Sequence, residues 1–86
     1  MNDNTAERVR MLIAGVLQLP AAQINEFSAA ENLEAWDSVN HLNIMLGLEQ
    51  EFGVQLSPEQ TDKMTNIAAI VDVLRLALRR GGHGRE

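Results

Sequence analysis

The sequence predicts an all-α fold, a small four-helix bundle of three main helices and one short helix. Three observations carry that expectation. Apolar residues recur at helical spacing in separate stretches, and none of the chain alternates as a half-buried strand would. With 86 residues there is room for one domain and one modest core. Apolar residues make up 45% of the chain and aromatics only 3%, so that core is aliphatic, built from Leu, Ile, Val, Ala and Met. Such side chains repack more readily than rings.

In the first element Val9, Leu12, Ile13, Val16 and Leu17 fall on one helical face. Asn4 followed by Glu7 has the spacing of a capping box, which places the start near Thr5, and Pro20 stops the helix. Residues 19–36 form a long connection, expected to be pinned to the core by Leu19, Ile24, Phe27, Leu33 and Trp36. A connection of this length in a compact domain is commonly functional. The second helix opens at Asp37-Ser38, either of which can act as N-cap, and Gly53 is its expected stop. Val39, Leu42, Met45 and Leu46 form one apolar face on it, Ile44 and Leu48 a second, and Phe52 closes the far end. That arc is wider than a single packing contact needs, leaving part of it for a cavity or a partner. Ser57-Pro58-Glu59 reads as N-cap, Pro at the first helical position and an acid in the first turn, so a short third helix runs from Pro58 to about Lys63. Thr65 or Asn66 caps the fourth, in which Ile67, Ile70, Val71, Leu74 and Leu78 keep register. Arg75, Arg79 and Arg80 occupy its last turns, where cations suit the helix dipole. The domain is taken as residues 1–80, followed by a flexible, glycine-rich tail over 81–86.

Charge narrows the function classes. No Lys or Arg lies between Met11 and Asp62, while eight acids do, from Glu26 to Asp62, a formal −8 within a chain of net charge −5. That field repels nucleic acid and anionic membranes and attracts proteins with basic patches. No apolar run is long enough to span a membrane, and the first residues lack the pattern of a signal peptide, so a cytoplasmic protein is the expectation. Without Cys there is neither a disulfide nor a thiolate nucleophile, and His41 and His83 are too far apart in sequence to form a recognisable metal motif.

Asp37-Ser38-Val39 is the informative place. A helix start offers free N–H groups and a positive dipole end, which favour a phosphodiester attached at Ser38. The adjacent Asp37 suits a partner enzyme that brings basic groups or a metal ion. Read by spacing alone, Asp-Ser at this position is more often a plain helix cap than an attachment point. His41 lies three residues on, yet no nucleophile elbow or third group accompanies a Ser–His pair, so an enzyme is not expected. His41 then reads as a surface residue. Met45 and Met64 are core residues able to soften a cavity, and Trp36 is a staple for the loop.

The run Trp36-Asp37-Ser38-Val39-Asn40-His41-Leu42, followed by Leu48-Glu49-Gln50-Glu51-Phe52-Gly53-Val54-Gln55-Leu56 and by residues 64–72, closely resembles acyl carrier proteins. The resemblance spans about Thr5 to Leu78. It implies an acyl-carrier-protein-like bundle that is not an enzyme. A phosphopantetheinyl transferase would move 4′-phosphopantetheine from coenzyme A onto Ser38 Oγ, with Asp37 as the adjacent motif residue. The arm's thiol would hold acyl groups as thioesters, received from an acyl-loading ligase or transferase. Synthases or acyltransferases with basic docking patches would then use them. Carried over by position, Val39, Leu46 and Glu49, with Asp37, are the partner-facing candidates on the second helix. A monomer is expected, with no nucleic-acid or membrane partner.

Several residues depart from the familiar phrasing. Trp36 stands where a small residue is common, Val39 replaces Leu, and Asn40, His41 and Asn43 occupy positions that many fatty-acid carriers fill with acids. These point to a free-standing carrier serving a specialised fatty-acid, polyketide or related pathway. The competing reading is a non-catalytic acidic interaction module in which Ser38 merely caps a helix.

Overall fold

The computed structural model describes residues 4–81, with side chains through Arg79. Four helices follow one another: α1 (Thr5–Leu17), α2 (Ser38–Phe52), α3 (Pro58–Lys63) and α4 (Ile67–Gly81). A single 3₁₀ turn, Ala21–Gln23, interrupts the long connection. No strand occurs among the described residues; Ala29 and Asn66 form only an isolated antiparallel bridge. The fourth helix includes Gly81, one residue past the expected boundary, and the remainder of the expected tail, residues 82–86, lies outside the described residues.

Each helix end has an identifiable cause, and one differs from expectation. Asn4 makes no side-chain cap; its backbone is turned away from the extended geometry that brings a cap oxygen round to the first N–H groups. Glu7, the other half of the expected box, pairs instead with Arg10 at 2.6 Å. Helix α1 closes at Leu17, ahead of Pro20, because Gln18 adopts the left-handed conformation at φ 59° and returns its N–H to the last turn. Gly53 does the same for α2 at φ 65°. Helix α3 carries the full capping box: Gln60 N–H donates to Ser57 Oγ, and Ser57 N–H donates to Gln60 Oε1. Asn66 caps α4 by accepting from Ala69 N–H at 2.7 Å.

Helices α1 and α2 run antiparallel, since Arg8 meets Glu51 while Leu12 lies against Gly47. Arg8 donates to both the carboxylate and the backbone carbonyl of Glu51, and its guanidinium sits 4.3 Å over the Phe52 ring. The core is aliphatic as expected, with Ile13, Ile44, Leu48, Met64, Ile70 and Leu74 completely enclosed. Met45 joins it, so the expected grouping of Met45 with Val39, Leu42 and Leu46 is corrected. The buried stripe of α2 is Ile44, Met45, Leu48 and Phe52, and the stripe Val39, Leu42, Leu46 is exposed. At 100° per residue those two sets fall on different sides of one helix.

The connection before α2 is held by backbone as much as by side chains. Ala30 N–H donates to the Thr65 carbonyl and Ile67 N–H to the Ser28 carbonyl, which ties the loop to the α3–α4 junction. Ile24 and Trp36 are buried, and Leu19 and Leu33 are half-buried against the core. Phe27 does not pin the loop: it is 76% exposed. Its N–H donates to Asn25 Oδ1 and its carbonyl accepts from Asn32, a turn that sends the neighbouring Ser28 inward.

Candidate attachment site at the start of helix α2

Asp37 and Ser38 divide the work at the start of α2. Asp37 is the N-cap, its backbone extended and its Oδ1 accepting from Asn40 N–H at 2.9 Å. Ser38 is the first helical residue, exposed, and its hydroxyl makes no hydrogen bond with the described residues. The other two serines are engaged: Ser28 Oγ accepts from Asn25 N–H, and Ser57 Oγ caps α3. The cap that the interaction-module reading assigns to Ser38 therefore belongs to its neighbour.

Ser38 helps line a cleft of about 500 Å³, together with Ala30, Trp36, Asp37, His41, Asp62 and Thr65. Two of these are carboxylates and none is Lys or Arg. A helix start leaves N–H groups without intrahelical partners, and their dipole favours an attached phosphodiester. A free, exposed hydroxyl at this position, beside a cleft able to take part of a flexible arm, fits covalent attachment of a phosphate-linked group.

His41 is not the surface residue expected of it. It is half-buried with both ring nitrogens occupied: Trp36 Nε1–H donates to Nδ1 at 3.1 Å, and Nε2 lies 3.1 Å from the Thr61 carbonyl. Since Nδ1 accepts and Nε2 faces an acceptor, the proton sits on Nε2. The ring is turned to Trp36 and α3 and makes no bond to Ser38, so it has no role as that hydroxyl's base. Sequence reasoning missed this bridge because Trp36 precedes the helix, where helical spacing says nothing about which side chains meet.

The remaining candidates lie along α2. Val39 is 68% exposed and Leu46 49%, and Leu42, between them at 59%, completes a stripe. Leu42 follows from the same three-and-four spacing. Glu49 is half-buried, its Oε2 accepting from Leu56 N–H at 2.8 Å, which holds the segment after α2. No cluster of His, Asp or Glu able to hold a metal ion occurs among the described residues.

Fold and site together define a small helical bundle with an exposed serine hydroxyl at a helix start. Comparison with known proteins agrees: the family described as "Phosphopantetheine attachment site" matches residues 7–74, and the chain belongs to it. The group these domains carry is covalently attached 4′-phosphopantetheine, and they are carriers, with the chemistry done by partner enzymes. The fold is similar to that of a holo acyl carrier protein from Geobacter metallireducens, at TM-score 0.84 and 19% identity, over 98% of this chain and 97% of that one. No helix among the described residues is long and apolar enough to cross a membrane.

Proposed function

We propose that this protein is an acyl carrier whose Ser38 Oγ bears the phosphopantetheine arm, presenting acyl thioesters to partner enzymes. One observation carries the reading: of the three serines, Ser38 alone has a hydroxyl both exposed and without a partner among the described residues, while Asp37 supplies the helix cap. The interaction-module reading, which needs Ser38 as the cap, loses its support there. The similar Geobacter protein is a holo acyl carrier protein, which supports an acyl cargo.

The partners are a phosphopantetheinyl transferase, an acyl-loading enzyme and synthases or acyltransferases. They meet α2 through Val39, Leu42 and Leu46, with Asp37 at one end of the stripe and Glu49 toward the other. Asn40, His41 and Asn43 leave the first turns without an acid between Asp37 and Glu49, which supports service in a specialised fatty-acid or polyketide-type pathway rather than the housekeeping one. A monomer in the cytoplasm agrees with the acidic, aliphatic composition.

The test is intact-protein mass after incubation with coenzyme A, magnesium and a broad-specificity phosphopantetheinyl transferase. The wild type gains one phosphopantetheine and Ser38→Ala gains none. A folded wild type that gains nothing with several transferases returns the protein to the interaction-module class.

A further inference from the structure

Two hydrogen bonds span Ser38 from one side to the other. Asn40 Nδ2–H donates to the Ala35 carbonyl at 2.8 Å, and Trp36 Nε1–H donates to His41 Nδ1 at 3.1 Å. The two residues after Val39 thus grip the two residues before Asp37. His41 then reaches on, through Nε2–H, to the Thr61 carbonyl of α3. The Ser38 hydroxyl has no bond of its own among the described residues, so its position is set by this braced backbone.

We propose that Asn40 and His41 are positioning residues of the Ser38 site, holding the Ala35–Trp36 approach and α3 in register with the start of α2 so that Oγ stands where a transferase can use it. The inference rests on the reading of Ser38 as the attachment point. Neither brace is required to start the helix, since Asp37 already caps it and its carbonyl accepts from His41 N–H. What they fix is the angle at which the loop enters and the wall that Trp36 and His41 give the adjacent cleft. In the transfer, the bond from Oγ to phosphorus forms as the diphosphate P–O bond of coenzyme A breaks. Adenosine 3′,5′-bisphosphate leaves, and the hydroxyl proton passes to the transferase. Reactions of this kind are sensitive to small displacements of the attacking atom. The same geometry gives Asn and His a reason to occupy these positions: each presents an N–H to a backbone carbonyl, which an ionised carboxylate could not do.

The experiment measures phosphopantetheine transfer kinetics for the wild type, Trp36→Phe, His41→Leu and their double variant, with helicity checked by circular dichroism. Asn40→Ala, which removes the donor to Ala35 without adding a charge, provides a variant at a half-exposed position. Loss of a brace lowers kcat by about tenfold with KM little changed. The double variant is no slower than His41→Leu, because that single already lacks both the Trp36 bond and the bond to Thr61. In the wild type, nitrogen NMR shows His41 with its proton on Nε2 and the Trp36 indole N–H protected from exchange. Unchanged rates, additive losses, a loss confined to KM, or a His41 proton on Nδ1 each overturn the proposal. If the wild type is modified at Ser38 while the variants keep its rate, the positioning role alone fails; if the wild type is never modified, the attachment reading fails with it.

Discussion

Ser38 and Asp37 differ in what surrounds their oxygens rather than in exposure. Asp37 accepts a backbone N–H and Ser38 accepts nothing, so removing each has a different consequence. Asp37→Ala costs about 1 kcal/mol of stability in urea unfolding, the usual cost of a lost N-cap, whereas Asp37→Asn keeps most of it. Ser38→Ala leaves the unfolding midpoint nearly unchanged while abolishing modification. Gln18 holds the left-handed conformation that glycine adopts freely. Gln18→Gly therefore raises stability by roughly 0.5–1 kcal/mol, and a decrease would mean that the Gln18 side chain has a packing role. At this scale the sequence marks Ser38 by its setting but not its freedom from capping, because Asp and Ser cap equally well and only coordinates assign the bond.

The helices themselves were largely legible. Proline and glycine punctuation, with Ser57 and Asn66 at their caps, places α2, α3 and α4 within a residue or so of their observed ends. What spacing could not decide was which stripe of α2 faces inward. Met45 and Leu46 are adjacent and both apolar, and only the packing of the whole bundle decides that Met45 is buried and Leu46 is left out. The same limit explains Phe27, whose hydrophobicity suggests an anchor while Asn25 and Asn32 fix the turn against it. Two expectations belong to the elements. Gly15 lies exposed inside α1 with open space where a Cβ would go, so Gly15→Ala raises stability by about 1 kcal/mol in thermal or urea unfolding. The Arg8–Glu51 pair joins α1 to α2 with side chains 40% and 44% exposed, so solvent screens it. Arg8→Ala destabilises by less than about 1 kcal/mol, part of that from the lost Phe52 contact, and the loss shrinks in high salt.

Across the whole molecule, charge and modification meet. The stretch from Met11 to Asp62 carries no Lys or Arg, and it contains α2, the loop before it and most of the Ser38 cleft. Encounter with a basic transferase is accordingly steered, and raising ionic strength raises KM for the transfer; a KM flat across a wide salt range would show that apolar contacts with Val39, Leu42 and Leu46 dominate instead. The same lack of Lys and Arg makes the attachment point easy to locate. Trypsin cuts after Arg10 and Lys63 and nowhere between, so one peptide contains Ser28, Ser38 and Ser57 together. The most direct measurement is fragmentation of that peptide from the modified protein. The fragment ions are expected to place the phosphopantetheine on Ser38 alone; finding it on Ser28 or Ser57, whose hydroxyls are engaged in a turn and a cap, would contradict the assignment.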